Sequence, residues 1–347
     1  MKTSKWFFIS FILFVFCWVI YLFKPFLMTF SIGILLALST SNIHQKILNL
    51  TKQKSLLSAC LTTLTACLLF LVPFSYAISK LAIYGANIQF QDIKDILLTI
   101  KNYDYPIPDS LSFILPEFDN IFSSVNINKI ASKSLEYASN IGKSSVNFIV
   151  DMGLILIFYF ITNLYINQII EYVKTYIPME GEQFDYIFDQ TSNTMSVVLY
   201  TTILNSVFQG FLFGAMVIFF GYDGFLLGIL YAFACLIPIV GGGLVFVPVA
   251  IYELAKGDLI GGIFILSYSI IVVAFLADNI VKPFITKFIN SKLVKEPANI
   301  NEIIIFFAML AGISTFGFWG IILGPAITTL FVATLKTYHN LKQSNQI

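Results

Sequence analysis

The sequence contains no arginine and little charge of either sign. All twenty basic residues are lysines, charged residues make up 11% of the 347 positions, and hydrophobic residues make up 58%. Soluble domains have about 25% charged and about 45–50% apolar residues, so this composition predicts an integral membrane protein with the lipid bilayer as a partner. Arginine makes bidentate contacts to phosphate groups, and its absence argues against a nucleic-acid partner.

Cysteine and histidine are also scarce. Four cysteines lie inside apolar runs and form no Cys-x-x-Cys pair, and two histidines lie beside lysines near the ends of apolar segments: Cys17, Cys60, Cys67, Cys235, His44 and His339. A metal site needs several converging ligands, and a disulfide framework needs a spaced set of cysteines. We therefore predict no metal site, no disulfide framework and no cofactor.

Catalytic motifs are missing as well. No His-Glu-x-x-His, Gly-x-Ser-x-Gly or Gly-x-x-x-x-Gly-Lys pattern is present, so a zinc protease, a serine hydrolase and an ATP-driven pump are unsupported. Tyr222-Asp223 and Gly257-Asp258 resemble the paired aspartates of intramembrane proteases, but the second pair lacks the first glycine of Gly-x-Gly-Asp. We expect no enzyme and no catalytic residue, and any transport must use a gradient or run downhill.

Long apolar runs dominate what is present. A helix needs about 20 mostly apolar residues to cross the hydrocarbon. Six runs meet or approach that length, and they predict spans at 6–23, 26–41, 57–79, 147–167, 197–220 and 259–281. The first follows two lysines as a signal peptide would, but it is too long and bulky for one and no small-x-small cleavage site follows it. The fold class expected is therefore all-α, a polytopic membrane helix bundle.

Two polar stretches divide the chain. Residues 1–79 hold three N-terminal spans, residues 80–146 are polar and interrupted by Pro106, Pro108 and Pro116, and residues 147–347 form the expected transport core. We expect short amphipathic helices in 80–146 and one helix outside the membrane in 168–196, beginning after Pro178. Lysines in the short loops place both chain termini and 168–196 in the cytoplasm and place 80–146 outside.

Two further apolar stretches are broken by glycine and proline. Residues 225–254 contain Pro238, Gly241-Gly242-Gly243 and Pro248, and residues 303–335 contain Gly312, Gly317, Gly320 and Gly324-Pro325. The pieces of 225–254 are shorter than a span. Each stretch therefore predicts a broken or re-entrant helical hairpin.

The broken stretches share a short sequence. Residues 220–228 and 316–324 are identical at five of nine positions with an offset of 96 residues. Matched interruptions of apolar segments are a pointer to transporter binding sites, because backbone freed from a helix at membrane depth needs protein or water to satisfy it. The alternative is that the glycines serve close helix packing, as in any membrane bundle.

The second half contains an ordered set of motifs. The set comprises Gln209-Gly210, Leu236-Ile237-Pro238-Ile239-Val240-Gly241, Pro248, Asp278-Asn279-x-x-Lys282-Pro283, Gly312 and Phe316-Gly317-x-x-Gly320-x-x-Leu323-Gly324-Pro325. This ordered set resembles the AI-2E family of bacterial transporters. The resemblance implies a multi-span protein of the bacterial inner membrane that forms a homo-oligomer, with pentamers suggested for relatives. Some members export the quorum-sensing signal AI-2, and others behave as sodium/proton antiporters.

Asp278 is the most informative single residue. An aspartate at the centre of a span costs about 2.5–3.5 kcal/mol on insertion scales, and such residues usually face a cavity or a partner. It lies three residues before the end of its apolar run, with Lys282 four residues later. Either Asp278 binds a proton, a cation or a polar substrate, or it forms an interfacial ion pair with Lys282 that fixes the helix end.

Other polar residues allow two interpretations each. Asn205 and Gln209 lie four apart on one helix face, where they would donate to a polyhydroxylated solute or to a neighbouring helix. Glu253 and Asp258 are expected to be solvated. The predicted pathway for a small polar solute, or for a cation or proton, comprises Asn205, Gln209, Pro238, Gly241, Gly242, Asp278, Asn279, Lys282, Pro283, Gly317, Gly324 and Pro325. A membrane scaffold that transports nothing is the remaining alternative.

Overall fold

The structure is a computed structural model that describes residues 2–87, 127–176, 181–238, 240–292 and 301–343, with isolated positions between 88 and 126. These ranges are helical with short connecting turns and contain no strand. The prediction of an all-α membrane bundle is therefore confirmed. Of the 80–146 segment, residues 80–87 and 127–146 belong to long helices, and residues 101–126 lie outside the described residues.

The helices are numbered here in chain order. Those of the first half are α1 (Lys2–Phe23), α2 (Leu27–Ser39), α3 (Ser41–Leu50), α4 (Ser55–Ala66), α5 (Val72–Asn87), α6 (Ile127–Tyr176) and α7 (Gly181–Val217). Those of the second half are α8 (Gly224–Ala234), α9 (Gly243–Ala255), α10 (Leu259–Tyr268), α11 (Lys282–Lys292), α12 (Glu302–Phe316) and α13 (Gly320–Gln343). Two π-helical segments, Cys67–Leu71 and Ser269–Val281, join α4 to α5 and α10 to α11.

Several helical segments are long and apolar enough to span a bilayer. Within the described residues there are six, at Trp6–Phe23, Ser55–Tyr84, Ser145–Tyr176, Gly181–Phe220, Leu259–Ser291 and Ile303–His339. A bent pair, α2 with α3, raises the number to seven if it counts as one span. The chain is therefore a multi-pass membrane protein.

The predicted span at 26–41 is interrupted. Helix α2 has 13 residues and meets α3 at a bend of 63° around Thr40. The run Ser39-Thr40-Ser41-Asn42 explains the bend, since short polar side chains bond nearby backbone groups and compete with the helical ladder. The Thr40 hydroxyl, for example, donates to the carbonyl of Leu36.

Residues 168–196 do not form a separate helix, so the prediction of one there was wrong. Residues 168–176 continue α6, which runs unbroken from Ile127 to Tyr176. A helix does begin after Pro178, at Gly181, but it continues through the predicted 197–220 span as α7. The polar composition that suggested a separate helix instead marks the ends of two long helices.

The described chain divides into two compact units. The first unit comprises 1–67, 151–196 and 294–347, and the second comprises 68–150 and 197–293. In the first unit, α13 packs along α12 and against α2. The hydroxyls of Ser192 and Ser196 donate to the carbonyls of Leu38 and Ser39, where α2 ends. These bonds satisfy helix-terminal carbonyls that the bend would otherwise leave without donors.

The core of the second unit is formed by α7, α8, α9, α10 and the second π-helical segment. Its buried members are Phe213, Met216, Val217, Tyr231, Ala250, Ile265 and Val273. Phe213 stacks on Tyr231 with ring centroids 4.4 Å apart. This apolar core fixes how α7 and the π-helical segment face each other.

Both units contain a hairpin joined by glycines. In the second unit, Gly210 and Gly214 of α7 face Gly228 and Gly224 of α8 so closely that a side chain on any of the four would overlap neighbouring atoms. In the first unit, Gly312 of α12 faces Gly320 and Gly324 of α13 in the same way. The turns use Gly221 at φ 78° and Gly317 at φ 63°, a left-handed conformation that favours glycine.

These contacts show which structural segments correspond to each other in the sequence repeat. The segments 220–228 and 316–324 begin at the turns of the α7–α8 and α12–α13 hairpins, so the counterpart of 303–335 is α7–α8 and not 225–254. In 225–254, α8 and α9 are short helices of 11 and 13 residues separated at Pro238 and Gly241-Gly242. In 303–335 the break is confined to 317–319, and α13 continues through Gly324-Pro325, contrary to the expectation of a break there.

Candidate functional site

Asp278 lies in the π-helical segment Ser269–Val281, inside the span Leu259–Ser291. π-helical turns are rare and are frequent at functional sites. Pro283 gives a local reason for the irregular ladder, because it has no N–H to donate to the carbonyl of Asn279 in an α-helix or of Asp278 in a π-helix. The π-helical hydrogen-bond pattern ends where the N–H of Lys282 donates to the carbonyl of Ala277.

Two amides converge on Asp278. Asn205 Nδ2 and Gln209 Nε2 donate to the same carboxylate oxygen, Oδ1, at 2.8 and 3.1 Å. Both amides are buried on one face of α7, at 7% and 5% exposure, whereas Asp278 is exposed in the isolated chain. Three residues that the sequence marks separately therefore form one cluster in the second unit.

The free polar atoms of this cluster are oxygens. Asn205 Oδ1 is buried and accepts no bond from any described residue. The described part of the chain likewise offers no donor to the second carboxylate oxygen of Asp278, while both amide NH₂ groups already donate to the first. The cluster therefore presents acceptors, which suit a proton, a cation or the hydroxyl groups of a neutral solute.

Two predicted neighbours of Asp278 point elsewhere. Asn279 is exposed and donates to the carbonyl of Phe275 on its own helix. Lys282 is exposed and makes no ion pair with Asp278 within 4.0 Å. The alternative of an Asp278–Lys282 pair that fixes the helix end is therefore absent from this structure.

The cluster is bounded by polar residues in one direction and by the apolar core in the other. Thr201, one turn before Asn205, lies 3.5 Å from Thr286 between hydroxyl oxygens. Phe213, one turn after Gln209, is fully buried and stacks on Tyr231. Asp278 therefore lies between the polar contact of Thr201 with Thr286 and the apolar core of the second unit.

The remaining predicted pathway residues have packing roles. Gly241 lies against the backbone of Ala234, and Gly242 lies against the hydroxyl of Tyr231, next to Pro238 in the α8–α9 connection. The other three predicted residues belong to the first unit. Gly317 forms a turn, and Gly324 contacts Ala308, with the buried Pro325 following in α13.

The sequence interpretation missed a second polar cluster, at the end of α9. Glu253 was expected to be solvated but is only 6% exposed, and it accepts bonds from the Tyr222 hydroxyl and from Lys256 Nζ. Burial, and then the bond to Glu253, raises the pKa of Tyr222, so the phenol keeps its proton. The Glu253–Lys256 spacing of three residues on a helix was the available signal.

Asp258, also expected to be solvated, caps a helix. Its Oδ1 accepts the backbone N–H of Gly261 at 2.8 Å, in the first turn of α10. It lines one edge of an open, mainly apolar groove of about 470 Å³ that includes none of Asn205, Gln209 and Asp278. The described residues contain no group of three or more His, Cys, Asp or Glu side chains that could hold a metal ion.

Known proteins similar to this chain support a transport role. The family model for AI-2E family transporters matches residues 8–340. Two Helicobacter pylori proteins, each named provisionally as a transport protein, are similar over nearly the full length of both chains. The relative from strain J99 is 35% identical, covering 98% of this chain and 97% of its own length, and that from strain 26695 is 34% identical, covering 100% and 99%.

A more distant relative carries a name of the same kind. A Mycobacterium tuberculosis H37Rv protein, also named provisionally for transport, is 26% identical over 246 residues, which is 66% of this chain and 61% of the relative. The family match and the full-length similarity agree with a multi-pass helical transport protein. The chain belongs to the AI-2E family of transporters.

Proposed function

We propose that this chain is a secondary or facilitative transporter of a small polar solute, and that Asp278, Asn205 and Gln209 form its binding site. The observation that carries the proposal is the pair of buried amides that donate to one oxygen of an intramembrane aspartate. A carboxylate at membrane depth is costly, and it is usually retained where it faces a cavity or a ligand. The absence of an ATP-binding motif from the sequence agrees with a gradient-driven or downhill process.

The solute we propose first is a neutral, polyhydroxylated signalling molecule of the AI-2 type. Its hydroxyl groups would donate to the open oxygen of Asp278 and to Asn205 Oδ1, the buried acceptor without a partner. A buried acceptor left unpaired costs about 1–3 kcal/mol, so a donor-bearing ligand gains that much by satisfying it. The apolar core closes the α9–α10 side of Asp278. We therefore propose that the solute reaches Asp278 from the side of Thr201 and Thr286.

A sodium(lithium)/proton antiporter is the second candidate, and the same acceptor-only chemistry favours it. A carboxylate supported by two amides can bind a proton or a small cation in turn, which is the exchange that an antiporter requires. The two candidates differ in what moves and not in where it binds. A scaffold that transports nothing needs no such site.

The test is a paired transport assay on purified protein in liposomes. One arm measures collapse of a pH gradient on addition of sodium or lithium, and the other measures AI-2 movement across the vesicle membrane. We expect Asp278→Asn to abolish whichever transport activity the native protein shows, with the same amount of protein incorporated into the liposomes. Asn279→Ala, whose amide bonds only its own helix, should retain that activity. Full activity of Asp278→Asn would exclude the proposed site, and inactivity of the native protein in both arms would support the scaffold.

We also propose a location and an assembly for the protein. The lysine distribution supports an orientation with both termini in the cytoplasm. The family resemblance supports the bacterial inner membrane and a homo-oligomer, with a pentamer as the first candidate. Thiol labelling of single cysteines placed at each terminus tests the orientation. Mass measurement of the detergent-solubilised protein tests the assembly, and a monomer would contradict it.

A further inference from the structure

Lys256 lies in a cage of aromatic rings and carboxylate at the end of α9. Its Nζ is 4.6 Å from the ring centroid of Tyr222 and 4.9 Å from that of Tyr252. The same Nζ is 3.2 Å from Oε2 of Glu253 and 3.2 Å from the hydroxyl of Tyr222. The ring centroids of Tyr222 and Tyr252 are 6.2 Å apart, with their planes at 62°, so two ring faces and one carboxylate surround one ammonium group.

Glu253 and Tyr222 are held more firmly by their surroundings than Lys256 is. The Glu253 side chain is 8% exposed, and Tyr222 packs against the apolar core of the second unit. The Lys256 side chain is 43% exposed and reaches the cage on a flexible four-carbon stem. The Tyr222 ring and the buried carboxylate therefore remain in place when the ammonium group leaves, and the ring of Tyr252, which is 42% exposed, closes the cage from the surface.

This arrangement has the chemistry of an organic-cation site. Aromatic faces attract cations within about 6 Å of the ring centroid, and aromatic cages are the usual recognition device for alkylated ammonium groups. A neighbouring carboxylate adds the charge that neutral rings lack. The C-terminal end of α9, which carries the negative end of the helix dipole, lies at the same place, since Lys256 follows its last residue.

We propose that Tyr222, Tyr252 and Glu253 form a binding site for a small alkylammonium cation, which Lys256 occupies from within the chain in this conformation. An external cation binds when it displaces the Lys256 ammonium group. The cage stands just before Leu259, where the span Leu259–Ser291 begins, whereas Asp278 lies 19 residues further along that span (278 minus 259). The cage therefore lies just before the N-terminal end of this span, and Asp278 lies in its second half.

The first test is chemical rescue of thermal stability, carried out in an Asp278→Asn background so that the proposed transport site is silent. Lys256→Ala removes the ammonium group and leaves the buried carboxylate unpaired. We expect tetramethylammonium or n-propylammonium to raise its melting temperature by about 2–4 °C at ten times the dissociation constant, and to raise it further with the logarithm of concentration, while sodium at equal ionic strength does not.

Two control variants separate the cage from general salt effects. Lys174→Ala removes a lysine from an ion pair with Asp185 whose side chains are 34% and 53% exposed, and it should show no rescue. Lys256→Ala combined with Glu253→Gln should lose the rescue. Equal shifts in all three variants, or no shift in Lys256→Ala beyond that caused by sodium at equal ionic strength, would overturn the proposal.

A second measurement uses the unsubstituted chain and does not depend on the folding of a variant. Tetramethylammonium should expel the Lys256 ammonium group and raise its rate of acetylation, measured by mass spectrometry relative to Lys174, by at least threefold at saturation. An unchanged ratio would mean that Lys256 is a fixed structural element and that the cage accepts no external cation. Because neither measurement involves transport, failure here leaves the role of Asp278 intact.

Discussion

Gln209 Nε2 lies 3.1 Å from Oδ1 of Asp278, and Asn205 Nδ2 lies 2.8 Å from that same oxygen. One carboxylate oxygen is therefore held by two amides of α7, and the other remains available. The two amides act on a single charge and should not behave as independent contributors. This shared acceptor underlies the first prediction.

Asn205→Ala and Gln209→Ala should each weaken solute or ion affinity by about 10–100-fold, because each removes one hydrogen bond to a charged group, worth about 1.5–3 kcal/mol. Combined with Asp278→Asn, neither substitution should have a further effect. Concentration-dependent transport in liposomes measures the affinities of the single amide variants, and equilibrium binding of the solute or ion to the solubilised protein completes the double-mutant cycle in the inactive Asp278→Asn background. Additive losses in the Asp278→Asn background would show that the amides act on something other than the carboxylate.

Pro283→Ala should reduce transport at normal protein abundance. It restores an N–H that can bond the carbonyl of Asn279, which lets an α-helical ladder extend back toward Asp278 and turn the carboxylate away from Asn205. Pro248→Ala is the matched control, because this exposed proline lies inside the regular helix α9. The control should keep its activity and gain stability, and a loss of transport in both variants would point to a general effect of removing proline.

Gly210→Ala should destabilise the protein by about 1–3 kcal/mol, since the added methyl group meets the backbone of Gly228. Gly153→Ala, in α6, should be neutral or stabilising by about 0.5–1 kcal/mol, since nothing lies within 4 Å of the added carbon. Thermal denaturation in detergent, monitored by size-exclusion chromatography, measures the difference. Equal stability of the two variants would contradict the close α7–α8 contact.

Ser196→Ala should destabilise the first unit by about 1 kcal/mol, because the buried hydroxyl donates to the carbonyl of Ser39 at the α2–α3 bend. Ser267→Ala is the control, as its exposed hydroxyl bonds only the carbonyl of Ile263 in its own helix. The expected pattern is a lower melting temperature for Ser196→Ala alone. Hydrogen exchange at the end of α2 should also rise in that variant.

The spans were readable from the sequence because burial in lipid imposes a composition that local counting detects. Runs such as 147–167 and 259–281 lie inside helices of the structure. Helix ends were harder to predict, since polar residues at 168–196 extend two long helices instead of forming a third. The bend at Thr40 depends on side chain–backbone competition that hydropathy does not measure.

The members of the candidate site were predicted individually, but their contact was not. Asn205 and Gln209 stood out because four residues complete about one α-helical turn, and Asp278 stood out as a charged residue inside an apolar run. Lys282 was paired with Asp278 by the same spacing, but the two side chains form no ion pair within 4.0 Å in the structure. The packing of α7 against the π-helical segment depends on a core of residues distant in sequence, including Phe213 and Val273.

Helix α1 illustrates a different constraint. The window Trp6–Phe23 buries none of its residues in the described chain. Packing within the chain therefore does not constrain the shapes of these side chains, and the surrounding hydrocarbon constrains only their polarity. Within one chain, exchanging one bulky apolar residue for another there disturbs neither the glycine contacts nor the amide–carboxylate cluster. Over evolutionary time, this helix should keep its hydrophobicity while the identities of its residues change freely.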